Sequence, residues 1–248
     1  MENMLKAGIL TLFLLLAGSV SLQAQDQRLV PDRPGFSTGT FTVPVGEFYI
    51  ETGYQYSFRN STENRVSEFP QINIRTGLTQ RSELFVSWDG FEIDHNQTGR
   101  DQPLPSVGGK FRLVEGRQVE LTLLGVLHNS REDGDYRIDP LAGVMWEIEI
   151  TDRMGHFGGI QLESELDENR RVWNPALAAG IGFELFEKLD SILEWYTIYE
   201  SAEKEFYSGL EAGFLFYPNP SLQIDLFGGL GLSDEISHYL GVGLSIRL

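Results

Sequence analysis

The sequence predicts an all-β fold, a transmembrane antiparallel up-and-down β-barrel of about 12 strands, and three observations predict it. Residues 47–58, EFYIETGYQYSF, alternate: Phe48, Ile50, Thr52, Tyr54, Tyr56 and Phe58 point one way, Glu47, Tyr49, Glu51, Gly53, Gln55 and Ser57 the other. Successive strand side chains point to opposite faces, so this strand has one apolar and one polar side. Turn signals then return at near-constant spacing: LTQRS around Gln80, VEGRQ around Gly116, ITDRM around Asp152, FEKLD around Lys188 and YPNPS around Asn219, the first four 36 residues apart and the last 31 further on. Such a period indicates repeated hairpins. The connections between these turns are mostly longer and heavily charged, as in IDHNQTGRDQP and NSREDGDYRID. Short turns at one end and long polar loops at the other suit a membrane barrel, whereas a two-sheet sandwich has no reason to sort its loops.

The chain opens MENMLKAGILTLFLLLAGSVSLQAQ, with Lys6 ahead of an apolar run from Ala7 to Ala17. This reads as a secretory signal peptide, residues 1–24, with Ala24 the last residue before cleavage. The run is too short for an anchor, which needs ~20 apolar residues. Cysteine is absent, which excludes a lipidated cysteine and any disulfide framework. No later stretch reaches 18 consecutive apolar residues, so a closed barrel is the remaining way to span a membrane. A net charge of −17 disfavours nucleic acid and anionic surfaces as partners. With 12% aromatics and 27 glycines the composition is that of a long β protein and not of a disordered one.

Residues 25–46 form an N-terminal segment rich in Pro and Gly without sustained alternation. Its Asp32, Arg33 and Pro34 admit two readings. The segment folds into the barrel as a plug, Arg33 meeting lumen carboxylates, or it lies in the periplasm as a lead-in whose Pro and Gly set a turn. The patterned FSTGTFTV that follows is too ordered for a free tail and favours the plug.

The barrel proper is expected over residues 47–248, with strands near 47–58, 67–78, 83–92, 106–114, 119–129, 139–150, 155–163, 173–185, 190–200, 206–217, 222–232 and 238–248. Most exceed the ~9–11 residues a tilted membrane strand needs. An even count places both chain ends in the periplasm, and the localisation that follows is the outer membrane. In the last strand, Leu240, Val242, Leu244, Ile246 and Leu248 share a face. That pattern resembles the assembly signal of outer-membrane barrels, though it ends on Leu248 and not on an aromatic. The partners it implies are outer-membrane lipid and the barrel-assembly machinery.

Charged residues recur on the polar faces: Glu51, Arg75, Lys110, Arg112, Glu120, Glu147, Glu149, Glu184, Glu211, Asp225 and Arg247. These are the lumen and transport candidates. Acids outnumber bases among them, as suits a cation-leaning channel. The other reading is a lumen closed by salt bridges, because ~12 strands enclose a narrower interior than the 16–18 of open porins. The acidic runs Glu132–Asp135 and Glu165–Glu168 lack calcium-loop spacing, the scattered His95, His156 and His238 lack metal spacing, and neither a metal nor a cofactor is expected. His128 and Ser130 prompt a lipase reading, but Arg131 and Glu132 follow where an outer-membrane phospholipase carries Asn-Gly. No enzyme is expected.

The stretch from Val30 to Phe58, VPDRPGFSTGTFTVPVGEFYIETGYQYSF, followed by INIRTGLTQRSELFVSW, resembles an outer-membrane transporter family named for the meta-pathway of phenol degradation. The likeness rests on Asp32-Arg33-Pro34 leading into the first strand and on Arg75, Gly77, Leu78, Thr79, Arg81 and Glu83 around the first turn. It covers the first third of the mature chain. It implies an outer-membrane barrel passing small solutes, aromatic or hydrophobic ones among them; the alternative is a closed structural or interaction barrel. The family's name reflects gene neighbourhood, so no particular substrate transfers with it.

Overall fold

The computed structural model describes residues 28–59, 63–95, 100–101, 103–116, 118–132, 135–167 and 170–248. The expected signal peptide lies outside the described residues, as do parts of the long loops and of both acidic runs. Among the described residues fourteen strands follow in order: β1 (Phe48–Arg59), β2 (Glu63–Thr79), β3 (Ser82–Trp88), β4 (Phe91–Asp94), β5 (Arg100–Asp101), β6 (Ser106–Glu115), β7 (Val119–Glu132), β8 (Asp135–Thr151), β9 (Met154–Asp167), β10 (Arg170–Phe186), β11 (Leu189–Glu200), β12 (Glu205–Asn219), β13 (Leu222–Gly231) and β14 (His238–Arg247). Twelve of them make a closed antiparallel barrel: each pairs with its neighbours, and β1 pairs with both β2 and β14. The short β4 pairs with the outer half of β2, and β5 pairs with β4. No helix among the described residues is long and apolar enough to cross a membrane.

The polarity is inverted relative to a soluble protein. Leu240, Val242 and Leu244 of β14 are exposed, while Gly241, Gly243 and Ser245 between them are buried. The same alternation exposes Leu226 and buries Asp225 and Phe227 on β13. An apolar surface running round a barrel whose inside holds carboxylates, amides and hydroxyls is stable against lipid and not against water.

Inside, aromatic side chains lie flat across glycines of the next strand. A Cβ on Gly108 would overlap the ring of Phe85, one on Gly241 that of Phe227, and one on Gly229 that of Tyr239. The chain spends glycines on the lumen face because neighbouring rings occupy the space a side chain would need.

Tight turns close one end of the barrel, here the turn end; the opposite, loop end carries the longer connections. Two departures from the sequence reading stand out. The strands of the β7–β8 and β9–β10 hairpins run further toward the loop end than alternation suggests, pairing as far as Glu132 with Asp135 and Arg170 with Asp167. A 17-residue strand such as β8 spans roughly 55 Å at ~3.3 Å per residue. That exceeds a ~30 Å hydrocarbon core even with tilt, so the polar extension reads from sequence as loop. The expected strand 83–92 is broken between Trp88 and Phe91. Opposite the break sits Pro70, which has no N–H for the ladder, and Gly90 turns with φ +86° where a Cβ would overlap the Pro70 carbonyl.

Candidate functional site

Residues 28–45 run inside the barrel as a loop with both ends near the turn end. Leu29 N–H donates to Pro220 O at 2.8 Å, in the β12–β13 turn, while Val45 forms a parallel bridge with Gly77 near the end of β2. Between these points the segment climbs to mid-barrel and crosses it, and almost every polar atom it shows to the wall has a partner.

On the β1–β6 side, Arg75 is fully buried and donates from every nitrogen. Nε and Nη2 hold Glu83 in a fork at 3.0 Å each, Nη1 reaches Glu51 at 3.0 Å, and two further bonds go to the carbonyls of Val30 and Phe41. Asp32 lies 3.2 Å from Arg75 and 2.7 Å from Lys110 Nζ, which also donates to Phe41 O and Gly39 O. Three carboxylates and two cations thus enclose the start and return of the segment. Geometry this complete is what a buried ionic cluster requires, because each charge removed from water costs several kcal/mol unless it is paired (roughly, in relaxed proteins). Beneath it Leu29, Val43 and Tyr49 form a small apolar cluster with Phe41.

Arg33 crosses to the other wall, where its Nε donates to both oxygens of Asp225 at 3.2 and 3.3 Å. Its guanidinium lies against Gly53 and Gly243, and a Cβ at either position would overlap it. At the tip, Glu194 accepts from Phe36 N–H at 2.7 Å, Ser37 N–H at 3.1 Å and the Ser37 hydroxyl. Phe36 stacks on Tyr196 with ring centroids 4.4 Å apart and planes 2° from parallel. Thr40 then donates its N–H to Glu147 and its hydroxyl to Glu120, while Thr122 donates to Thr40 O at 2.7 Å. Thr42 accepts from Arg112, and Val43 N–H donates to Glu83 at 2.6 Å. Arg28, at the turn end, pairs with Asp190 and lies 3.8 Å from the centre of the Tyr217 ring.

Among the sequence candidates, Glu51, Arg75 and Lys110 meet in one cluster with Asp32; Asp225 meets Arg33; Glu120, Glu147 and Arg112 bind the returning strand of the segment. Pro34 packs near Gly213. Glu149 and Glu184 are not mid-lumen residues: both are exposed near the turn end, and Arg247 is also there, 3.4 Å from Ser221 Oγ. Glu211 stands apart from the segment's ionic contacts. Three further acids contact the segment without being lumen candidates from parity: Glu83, which figures only in the family likeness, Glu194 and Asp190. Glu83 follows a turn immediately, Asp190 opens a strand, and Glu194 sits between Leu193 and Trp195 in an otherwise apolar stretch; only strict parity from Tyr196 would have placed Glu194 inward.

Two cavities flank the segment. One of about 360 Å³ lies between the tip and the loop end, bordered by Phe36, Gln55, Phe85, Leu124, Val126 and Phe227 among others. A second of about 490 Å³ lies toward the turn end, bordered by Glu120, Glu147, Glu149, Glu184, Asp190 and Arg28 among others. His128 and Ser130 do not meet: His128 Nδ1 is 3.1 Å from Ser106 Oγ, and the Ser130 hydroxyl donates to Asp139. Among the described residues no group of His, Asp and Glu is placed to hold a metal ion.

No family model matches the chain, and no curated relative does. Solved structures do. An outer-membrane channel from Pseudomonas putida F1 aligns over 87% of this chain and 99% of its own at 11% identity, with a TM-score of 0.66. The NanC porin aligns over 81% and 100% at 8% identity and TM-score 0.57. The KdgM porin, in a complex with disordered oligogalacturonate, aligns over 79% and 98% at 7% identity and TM-score 0.55. At these identities the likeness is one of fold: the closed antiparallel barrel of outer-membrane channels and porins.

Proposed function

We propose that a chain with this outer-membrane-channel fold is itself an outer-membrane channel or transporter for small solutes, its lumen narrowed by the segment of residues 28–45. The observation that carries the reading is the inverted polarity: an apolar exterior round a charged interior, with a cavity on each side of the inserted segment. Channels and porins being its structural neighbours supports it. In this reading the turn end faces the periplasm, residues 1–24 are removed on export, lipid surrounds the exposed band, and the last strand is presented to the barrel-assembly machinery. The reading assigns no catalysis.

The solute class rests on two lines. Likeness over the first third of the mature chain to the phenol-pathway transporter family is in keeping with small solutes, aromatic or hydrophobic ones among them, and selects no particular substrate. The turn-end cavity, bordered by Glu120, Glu147, Glu149, Glu184 and Asp190, favours passage of cations over anions, since carboxylates about a narrow opening concentrate them.

A second reading has its own observation. The inserted segment is hydrogen-bonded to the wall along nearly its whole course, as a closed structural or interaction barrel would be. Conductance of the refolded chain in a planar bilayer under a KCl gradient separates the two. The channel reading expects stepwise conductance with a cation-selective reversal potential, reduced in selectivity by Glu147→Gln with Glu149→Gln. Silence from protein shown to be folded and inserted sinks the open channel and favours the closed barrel.

A further inference from the structure

The 360 Å³ cavity on the loop side of the inserted segment has a composition unlike the rest of the lumen. Apolar side chains form part of its wall: Phe36 closes it below, Phe227 stands on one side, and Phe85, Leu124 and Val126 stand on the opposite one, where they pack with Met145. Gln55, Gln71, Asn73, Ser87 and Gln161 share the lining, and a space of this size that sets aromatic walls beside convergent polar groups suits a small molecule carrying both characters.

The charges at that border do not balance. Asp32 and Glu51 are held by Arg75 and Lys110, and Arg33 is held by Asp225. Glu211 has no such partner: among the described residues no lysine or arginine lies within ion-pair distance of it. Tyr239 donates its hydroxyl to Glu211 Oε2, and Oε1 has no hydrogen-bond partner although the residue is only 4% exposed. A second acceptor at the cavity border, Asn73 Oδ1, is likewise buried and unpartnered. The other titratable neighbours are Asp89, which adds negative charge, and His128, whose Nδ1 is engaged by Ser106. Buried acceptors without donors are costly, and a ligand that brings N–H groups removes that cost. A cationic donor satisfies the unpaired carboxylate; the Phe227 ring already faces the Arg33 guanidinium, 5.4 Å from its centre, so the cation belongs at Glu211 and not over that ring.

We propose that this cavity binds a small organic cation, a protonated primary amine on a single-ring hydrocarbon body, with the ammonium at Glu211 and the ring among Phe36, Phe85 and Phe227. This deepens the channel reading by naming a solute class, and it rests on that reading for the route by which the ligand arrives.

The test is calorimetric titration of the full, detergent-folded chain with three probes of one shape: 2-phenylethylamine, 2-phenylethanol and phenylacetate. The amine is expected to bind at one site at least about tenfold more tightly than the alcohol, the anion more weakly than either. Glu211→Gln should erase the difference between amine and alcohol, while Glu211→Asp, which keeps the charge, should preserve it. Folding of each variant is checked by the heat-dependent gel mobility of intact barrels. Equal binding of all three probes, no binding of the amine, or an amine preference that survives in Glu211→Gln overturns the proposal. Titration needs no conduction, so the two readings fail separately. A silent bilayer with amine binding sinks only the channel, and conductance without amine preference sinks only the site.

Discussion

The turn-end half of the lumen and the loop-end half are built from the same barrel and solved differently. In the turn-end half the inserted segment is seated on the wall, a cavity of about 490 Å³ lies beside it, and the charges that seat it are answered: Arg75 by three carboxylates, Lys110 by Asp32 and two carbonyls, Arg33 by Asp225. In the loop-end half aromatic and amide side chains share the wall of the other cavity, and a buried carboxylate oxygen of Glu211 is left without a donor. The contrast teaches that charge in a lumen serves two ends. Where paired it fixes structure, and where unpaired it is available to a solute.

The strongest way to break this comparison is Arg75→Met. It leaves Glu51, Glu83 and Asp32 buried with Lys110 as their remaining cation, and such a loss costs roughly 3–5 kcal/mol. The urea midpoint of the variant should fall accordingly, and an unchanged midpoint would mean that the cluster does not hold the turn-end half together. Next is Glu194→Ala, which orphans the N–H groups of Phe36 and Ser37 at a cost of about 1–3 kcal/mol. Because the chain has no cysteine, a Thr38→Cys probe reports the effect: its maleimide labelling should speed up when Glu194 is removed. Equal labelling rates would show that the tip is held by something other than Glu194.

A smaller effect, about 1 kcal/mol at the low end of overpacking because the group met is the end of a flexible side chain, is expected of Gly243→Ala, whose methyl collides with the Arg33 guanidinium. The sharper form is a cycle: in an Arg33→Ala background the same methyl should cost almost nothing. Additive losses would place the origin of the cost elsewhere. Least of all on stability is Glu149→Gln, an exposed change at the turn-end opening that should stay within about 0.5 kcal/mol. Taken alone it should still lower cation preference in the bilayer, which distinguishes a charge that faces a path from one that holds a fold.

Much of the barrel was legible because lipid outside and polar atoms inside impose the alternation that sequence displays, as in Leu240 to Ile246 against Gly241 to Arg247. Local exceptions were harder. On β7, LTLLGVL is apolar on both faces because Leu124 and Val126 line a cavity while Leu123 and Leu127 face outward, so periodicity there says nothing about direction. The break at Trp88–Phe91 depends on Pro70 in the neighbouring strand, which no single-strand pattern contains. Candidate charges such as Glu51, Arg75 and Lys110 could be listed from parity. Which cation answers which carboxylate could not, because that is decided only when strands far apart in the chain are brought round to face one another.

The inserted segment also has a consequence for the order of folding. Its tip contacts reach across very long stretches of chain: Ser37 to Glu194 spans 157 residues and Arg33 to Asp225 spans 192. Contacts of such separation repay the entropy of closing their loops only late, and chains dominated by them fold slowly. Glu194 and Asp225 stand on β11 and β13, and the barrel shuts when β14 meets β1. A segment encoded ahead of every strand therefore reaches its final place only after nearly all of them are formed, and until then Arg33 and the carboxylates that await it remain unpaired.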